Sequence, residues 1–249
     1  MIRGLLVFLF LPVYTVLASL AAYPIARCLG SPAFLYRVAR VGMRIMLCLS
    51  GTRIEVEGRE RLCDTRNLLI VSNHLTHLDA PVLALTIPAD FKAVAKTEIF
   101  RFPFFHRCLR FAGIIEVDRS DPQQSRAAMG RVVASLKSGS CFLVFPEGTR
   151  SRTGELGPFK KGAFVAAAEA GSRIVPVALV GIRQLLPRGS FRMTPGTVRV
   201  RVLDPVQAGG YSYDQRDELT AQVRDRIAAA LAEAGEGVTH GAEGGSGGA

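Results

Sequence analysis

The sequence predicts an α/β fold, a mostly parallel sheet flanked by helices, preceded by an N-terminal membrane-associated helical segment. Three observations lead there. From about Thr52 onward, short continuous apolar runs alternate with amphipathic stretches, the pattern of strands buried on both faces between helices. Between Arg3 and Arg27 lies an uncharged run, GLLVFLFLPVYTVLASLAAYPIA, long enough to cross a bilayer core. In the body, each cluster of charged residues directly follows an apolar run, and sheets of this kind gather ligands beyond the carboxyl ends of their strands.

Residues 1–50 are expected to anchor the chain to a membrane. Pro12 and Pro24 leave room for a kinked or re-entrant helix instead of a straight span. A cleavable signal peptide is the competing reading, with Ala18-Ser19-Leu20-Ala21 as its cut site, but the apolar run exceeds the usual ~7–15-residue signal core. The next segment, Phe34–Leu49, spaces Arg37, Arg40 and Arg44 three to four residues apart over an apolar body of Leu35, Val38, Val41, Ile45 and Met46. Such a helix suits a surface of anionic lipid. The first acidic residue is Glu55, and if the first segment spans, the basic flank places the body on the cytoplasmic face of the inner membrane.

Residues 51–234 read as the α/β domain. Its expected strands are Arg53–Glu57, Leu68–Val71, Phe91–Ala95, Ile114–Val117, Cys141–Phe145, Ile174–Val180 and Val198–Leu203. Its expected helices are Ala80–Thr86, Glu98–Phe111, Pro122–Ser138, Lys160–Ala170 and Asp214–Ala234. Residues 235–249 are Gly-rich and bury too little to offset ordering entropy, so a flexible tail is expected.

Composition narrows the partners. With 49% hydrophobic residues a substantial core is affordable, and the net charge of +10 suits nucleic acid, an anionic membrane or a phosphorylated small substrate. The absence of Trp and of any basic run interleaved with aromatics argues against nucleic acid. Five scattered cysteines, never in a C-x-x-C pair, argue against a zinc site or disulfide framework and suggest a reducing compartment. Those in apolar stretches, such as Cys48, read as small buried hydrophobes.

Three strand-end constellations carry chemistry. The first is Asn73-His74-Leu75-Thr76-His77-Leu78-Asp79 after the run Leu68–Val71. His74 is a natural base for a hydroxyl, and Asp79 would fix its tautomer. Positions i and i+5 stand about 140° apart on a regular helix, so a turn is needed to bring them together, and Pro81 favours one. His77 lies between two leucines and reads as a packing or substrate-contact residue. The second constellation joins Lys96, after the Phe91–Ala95 run, to Asp118-Arg119-Ser120 after Gly113–Val117. A Lys and an Arg at adjacent strand ends form a clamp for phosphate or carboxylate. The third is Phe145-Pro146-Glu147-Gly148-Thr149-Arg150-Ser151-Arg152. Glu147 is placed to pair with Arg150, and the N–H groups around Gly148 and Thr149 to donate to an oxyanion. Lys160, Lys161 and Gly162 then put positive charge before a helix N-terminus, which favours anions.

These residues together resemble the glycerolipid acyltransferases, most closely the bacterial-type 1-acyl-glycerol-3-phosphate (lysophosphatidate) acyltransferases. The family's N-H-x-x-x-x-D block matches Asn73-His74 through Asp79, and its Gly-apolar run ending in Arg matches Gly113 through Arg119. Its F-P-E-G-T-R-S block matches Phe145–Ser151 without substitution, and its apolar run around Pro matches Ile174–Ala178. Thr76 stands where the family often has Ser, and His77 is outside the shared pattern.

The resemblance implies transfer of a fatty acyl group from an acyl-CoA or acyl carrier protein thioester to the sn-2 hydroxyl of lysophosphatidate, giving phosphatidic acid. His74 would be the base and Asp79 its orienting carboxylate. Lys96 and Arg119 would hold the acceptor phosphate, and Glu147, Gly148, Thr149 and Arg150 would shape the acceptor site. No metal or redox cofactor is required. Glycerol-3-phosphate or a lyso-aminolipid is an alternative acceptor, and water would make the same site a hydrolase. A non-catalytic basic membrane-binding protein is the alternative from another class.

Overall fold

A computed structural model describes residues 2–118, 121–187 and 189–237. The expected tail falls almost wholly outside them, as does Arg119. The chain opens with an antiparallel helical hairpin. The first helix, α1, runs Ile2–Cys28 through both Pro12 and Pro24, and the second, α2, runs Ala33–Ser50. Arg3 donates to the carbonyl of Leu49 at the open end, while Tyr14 Oη donates to the carbonyl of Val38 at 2.7 Å near the middle. Gly42 permits that approach, since a Cβ there would overlap the Tyr14 ring.

The body follows as β1 (Thr52–Glu57), β2 (Leu68–Ser72), α3 (Asp79–Thr86), β3 (Phe91–Lys96), α4 (Thr97–Phe100), α5 (Phe105–Phe111), β4 (Ile115–Val117), α6 (Pro122–Lys137) and β5 (Cys141–Val144). After these come α7 (Gly162–Glu169), β6 (Arg173–Val180), α8 (Ile182–Leu185), β7 (Gly196–Val202), β8 (Val206–Gln207) and α9 (Arg216–Glu233). The strands form one sheet in the order β1-β7-β6-β2-β5-β3-β4, with β8 also on β6. The five strands β6, β2, β5, β3 and β4 are mutually parallel, whereas β7 and β8 run antiparallel to β6. The sheet is thus largely parallel as expected, with a reversed flank that the apolar runs do not announce.

Alternation along each central strand divides the core into two layers. Leu69 and Val71 of β2 pack with Phe142, Phe164, Val132 and Ile227 toward α6, α7 and α9, whereas Leu68 and Ile70 face Leu143, Val82 and Met46 toward α3 and α2. Burial on both faces is why these strands read as unbroken apolar runs. Pro176 is tolerated in β6 because it lies between its two antiparallel partners. β8 pairs with Arg173 and Ile174, and β7 takes over at Val177.

Three local expectations are corrected. The helix expected over Glu98–Phe111 is two, α4 and α5, broken around Pro103. Arg40 does not join a basic stripe toward lipid. Its guanidinium turns inward to Asp90 at 2.8 Å and to the carbonyl of Ala89 at 2.7 Å, leaving Arg37 and Arg44 exposed. Cys48 is exposed, not buried, whereas Cys108 and Cys141 are buried.

Candidate active site

The register of the parallel strands brings the constellations to one edge. Val71 of β2 pairs with Val144 of β5, so His74 and Glu147 each lie three residues beyond the same rung. Ala93 of β3 pairs with Leu143, which puts Lys96 three residues beyond the neighbouring rung, and Lys96 itself pairs with Val117 of β4. With strands about 4.8 Å apart, β2 and β3 stand roughly 10 Å from each other across β5. Lys96 is exposed at its strand end.

Past β2 the chain leaves the sheet through Asn73. Its amide nitrogen donates to the carbonyl of Leu179 at 3.1 Å and its amide oxygen accepts from the N–H of Leu179 at 2.8 Å, so the side chain replaces a rung of the ladder with β6. His74 follows, and Asp79 opens α3, where a carboxylate suits the positive end of the helix. The turn between them is closed by Asp79. Its carboxylate accepts from the N–H of Leu75 at 2.6 Å, the N–H of Thr76 at 2.9 Å and the Thr76 hydroxyl at 2.9 Å. His74 Nδ1 lies 2.7 Å from Asp79 Oδ2. Only an acceptor-only carboxylate satisfies that many donors, so Nδ1 carries the proton and Nε2 the lone pair. The Thr76 oxygen also accepts from the N–H of Leu78 at 3.0 Å, which explains why a hydroxyl is needed at this position.

The His74 ring stacks on Phe145, centroids 4.2 Å apart and planes inclined by 16°. Its backbone is held as firmly: the His74 N–H donates to Glu147 Oε1 at 2.8 Å, and its carbonyl accepts from the N–H of Ser151 at 2.8 Å. The other Glu147 oxygen accepts from the N–H of Gly157 at 3.2 Å. Glu147 therefore braces the His74 loop instead of pairing with Arg150 as expected. Burial pushes the Glu147 carboxyl above the usual glutamate range, against the pull of these two N–H donors.

Gly148 also departs from expectation. Its N–H is spent on the carbonyl of Phe145 at 3.0 Å, so it is not a free oxyanion donor. Its φ of 76° belongs to the left-handed region, and a Cβ there would stand 3.0 Å from Lys160 Cε. The exposed Lys160 thus lies across the turn, with its own N–H bonded to the carbonyl of Pro146 at 2.9 Å. Its partner in the sequence, Lys161, points elsewhere and pairs with Asp217 of α9 at 2.7 Å. Thr149 is exposed, and Arg150 lies close enough to His77 to disfavour a charge there. The Cys141 thiol, at the far end of β5, is pushed up to about 12 by burial and is no nucleophile.

Beside this edge lies a cavity of about 490 Å³ between the helical hairpin and the body. Leu11, Leu35, Met46, Phe91 and Leu109 are among the apolar side chains on its walls, and it meets the His74–Asp79 loop at His77 and Leu78. No pattern in the sequence pointed to it, because its walls come from segments as far apart as α1 and α5.

Comparison with known proteins bears on the family and the fold. A family model described as Acyltransferase matches residues 53–180. The chain is 35% identical over 181 residues to the chloroplastic 1-acyl-sn-glycerol-3-phosphate acyltransferase LPAT1 of Arabidopsis thaliana, covering 72% of this chain and 49% of that protein. It is 29% identical to the 1-acyl-sn-glycerol-3-phosphate acyltransferase of Borreliella burgdorferi, over 76% of this chain and 75% of the relative. It is 30% identical to the human 1-acyl-sn-glycerol-3-phosphate acyltransferase alpha, over 83% and 73%. The chain spans about half the length of the chloroplast relatives it matches. Its fold matches the crystal structure of the 1-acyl-sn-glycerophosphate acyltransferase PlsC of Thermotoga maritima with a TM-score of 0.76 at 24% identity, covering 92% of this chain and 95% of that one. With the family's region lying across the sheet edge that holds His74, Asp79 and the Glu147 turn, the chain belongs to the acyltransferase family.

Proposed function

We propose that this protein transfers a fatty acyl group from a thioester to the sn-2 hydroxyl of 1-acyl-glycerol-3-phosphate, forming phosphatidic acid at a membrane surface. The observation that carries the reading is the His74–Asp79 pair, with Nδ1 at 2.7 Å from a fully buried carboxylate and Nε2 left to accept a proton. The acceptor oxygen attacks the thioester carbonyl carbon while His74 Nε2 takes its proton. The tetrahedral intermediate then expels the thiolate, which recovers that proton from His74. Such general-base help is worth roughly 10²–10⁴ in rate.

Lys96 and Arg119 are assigned to the acceptor phosphate, with Arg150 and Lys160 adding positive charge from beyond the end of the neighbouring strand β5. Arg119 lies outside the described residues, and its assignment rests on the sequence. The apolar cavity suits an acyl chain in size and lining.

The helical hairpin supplies the membrane side of the reading. Helix α1 is long and apolar enough to cross a bilayer, and Leu5, Leu9 and Leu17 are each 61% exposed. Yet α1 is fastened to the body near both ends, by Phe8 on Phe191 and by Tyr23 and Arg27 on Phe111. A helix so docked fits lying in one leaflet better than spanning, with exposed Arg37 and Arg44 of α2 toward anionic headgroups. The cytoplasmic face of the inner membrane is the proposed side, by the excess of basic residues flanking α1.

The test is a membrane-fraction assay with labelled acyl thioester and lysophosphatidate, run with coenzyme A and carrier-protein donors in parallel. Phosphatidic acid should form with the wild type and fall by about 10³-fold or more in His74→Ala. Wild-type turnover by His74→Ala refutes the mechanism, and product only from another lyso-lipid or glycerol-3-phosphate moves the acceptor.

A further inference from the structure

His77 is the one histidine of the first block that the mechanism above leaves idle. The cavity reaches the catalytic loop at this residue and at Leu78, while His74 is not on its wall. A chain lodged in the cavity must therefore pass His77 to bring its polar end to His74.

The other strongly polar side chains on that wall are already engaged. Tyr14 donates to the carbonyl of Val38, Tyr36 to the carbonyls of Phe91 and Ala112, and Arg40 is tied to Asp90 and Ala89. The ring nitrogens of His77 have no hydrogen-bond partner among the described residues, and the residue is exposed. Partial burial first, and then chiefly the nearby Arg150 charge, push its pKa below the ordinary histidine value, with Asp79 pulling the other way. A neutral imidazole keeps one N–H to donate. Meanwhile the expected donor at Gly148 is spent on Phe145.

We propose that His77 is a catalytic residue in which the ring N–H receives the acyl carbonyl oxygen as the thioester emerges from the cavity. This rests on the acyl-transfer reading. As the acceptor oxygen bonds to the carbonyl carbon, the C=O electron pair moves onto that oxygen, and the His77 N–H stabilises the resulting oxyanion. When the C–S bond breaks, the pair returns to re-form the carbonyl and the thiolate leaves. The site thus takes the carbonyl end of a long-chain acyl thioester.

The experiment compares wild type, His77→Phe and His77→Gln in the full-length membrane-bound protein. It follows thiol release from a palmitoyl thioester with lysophosphatidate, glycerol-3-phosphate, a lyso-aminolipid or water as acceptor. His77→Phe keeps a flat ring on the cavity wall but has no N–H, and should lower kcat by about tenfold to a hundredfold with the donor KM within about threefold. His77→Gln restores an N–H and should recover most of the loss. Wild-type kcat in His77→Phe overturns the proposal. So does equal impairment of the two variants at unchanged melting temperature, and so does a change confined to donor KM, which would assign His77 to chain packing. Thiol release by the wild type only with an acceptor other than lysophosphatidate overturns the proposed acceptor alone, since the His77 comparison is then read on that acceptor. No thiol release with any acceptor overturns both.

Discussion

The loop carrying His74 and the strand end carrying Lys96 belong to one sheet edge, two strands apart, and are built to opposite standards. Asp79 is fully buried and gathers donors from His74, Leu75 and Thr76, while Glu147, Ser151 and Phe145 hold His74 from three further sides. Lys96 is exposed at the end of β3. The difference suits the proposed roles, a proton-transferring base at His74 and an anion clamp at Lys96. Proton transfer needs heavy atoms within about 2.6–3.2 Å of each other and fails outside that window. Coulomb attraction falls only in proportion to distance, from about 4 kcal/mol at 4 Å to about 3 at 5 Å for an effective dielectric of 20. A base in the proposed role is worth rigidifying, whereas the proposed anion clamp can work from flexible stems.

The sharpest way to break this comparison is at Asp79. Asp79→Asn places an amide among N–H donors and releases the His74 tautomer. Turnover should fall by about 10³–10⁴-fold, and a thermal melt should register a loss of about 1–3 kcal/mol from the unsatisfied donors. Activity within tenfold of wild type would mean that the network is scaffolding and not a proton-transfer device.

The clamp should respond more gently and in a different parameter. Lys96→Ala and Arg119→Ala are each expected to raise the acceptor KM about tenfold or more, as suits a charge-assisted hydrogen bond of ~1.5–3 kcal/mol, with kcat nearly kept. The difference from wild type should shrink in high salt, because exposed charges are screened. A loss of kcat at constant KM would place these residues at the reacting atoms.

The smallest effect sharpens the role of Glu147. Its carboxyl is easier to protonate folded than unfolded, so it adds stability below the ordinary glutamate value of about 4.3 and loses that addition as pH rises through its higher folded value. The melting-temperature advantage of wild type over Glu147→Gln should therefore shrink as pH rises from about 4 toward neutrality. An advantage that grows over the same interval would contradict a buried, backbone-bracing carboxylate.

Much of this was legible in the sequence, for reasons visible residue by residue. The runs Leu68–Val71 and Cys141–Val144 are strands because their residues are apolar on both faces, and only a doubly covered sheet accommodates that. The break between α4 and α5 was missed although Pro103 is in plain view, since the flanking Phe and Leu residues continue a helical apolar pattern. Arg40 read as part of a basic stripe toward lipid and Lys161 as charge for an anion at a helix N-terminus, and both turned out to be ties, to Asp90 and Asp217, 50 and 56 positions away. Local spacing carries no information about a partner that distant.

By itself the sequence marked His74 and Asp79 as a candidate pair after a buried strand, with Pro81 favouring the turn that brings them together. It also marked two apolar N-terminal helical segments and the basic strand ends, but not that the two helices fold back on each other. Only the tertiary structure decided that Glu147 serves the His74 backbone, that Gly148 makes room for Lys160, and that His77 stands where an apolar cavity meets the loop. Each of those depends on which strands are neighbours and in what register. That choice is made by the whole core when it packs, and no stretch of the chain encodes it alone.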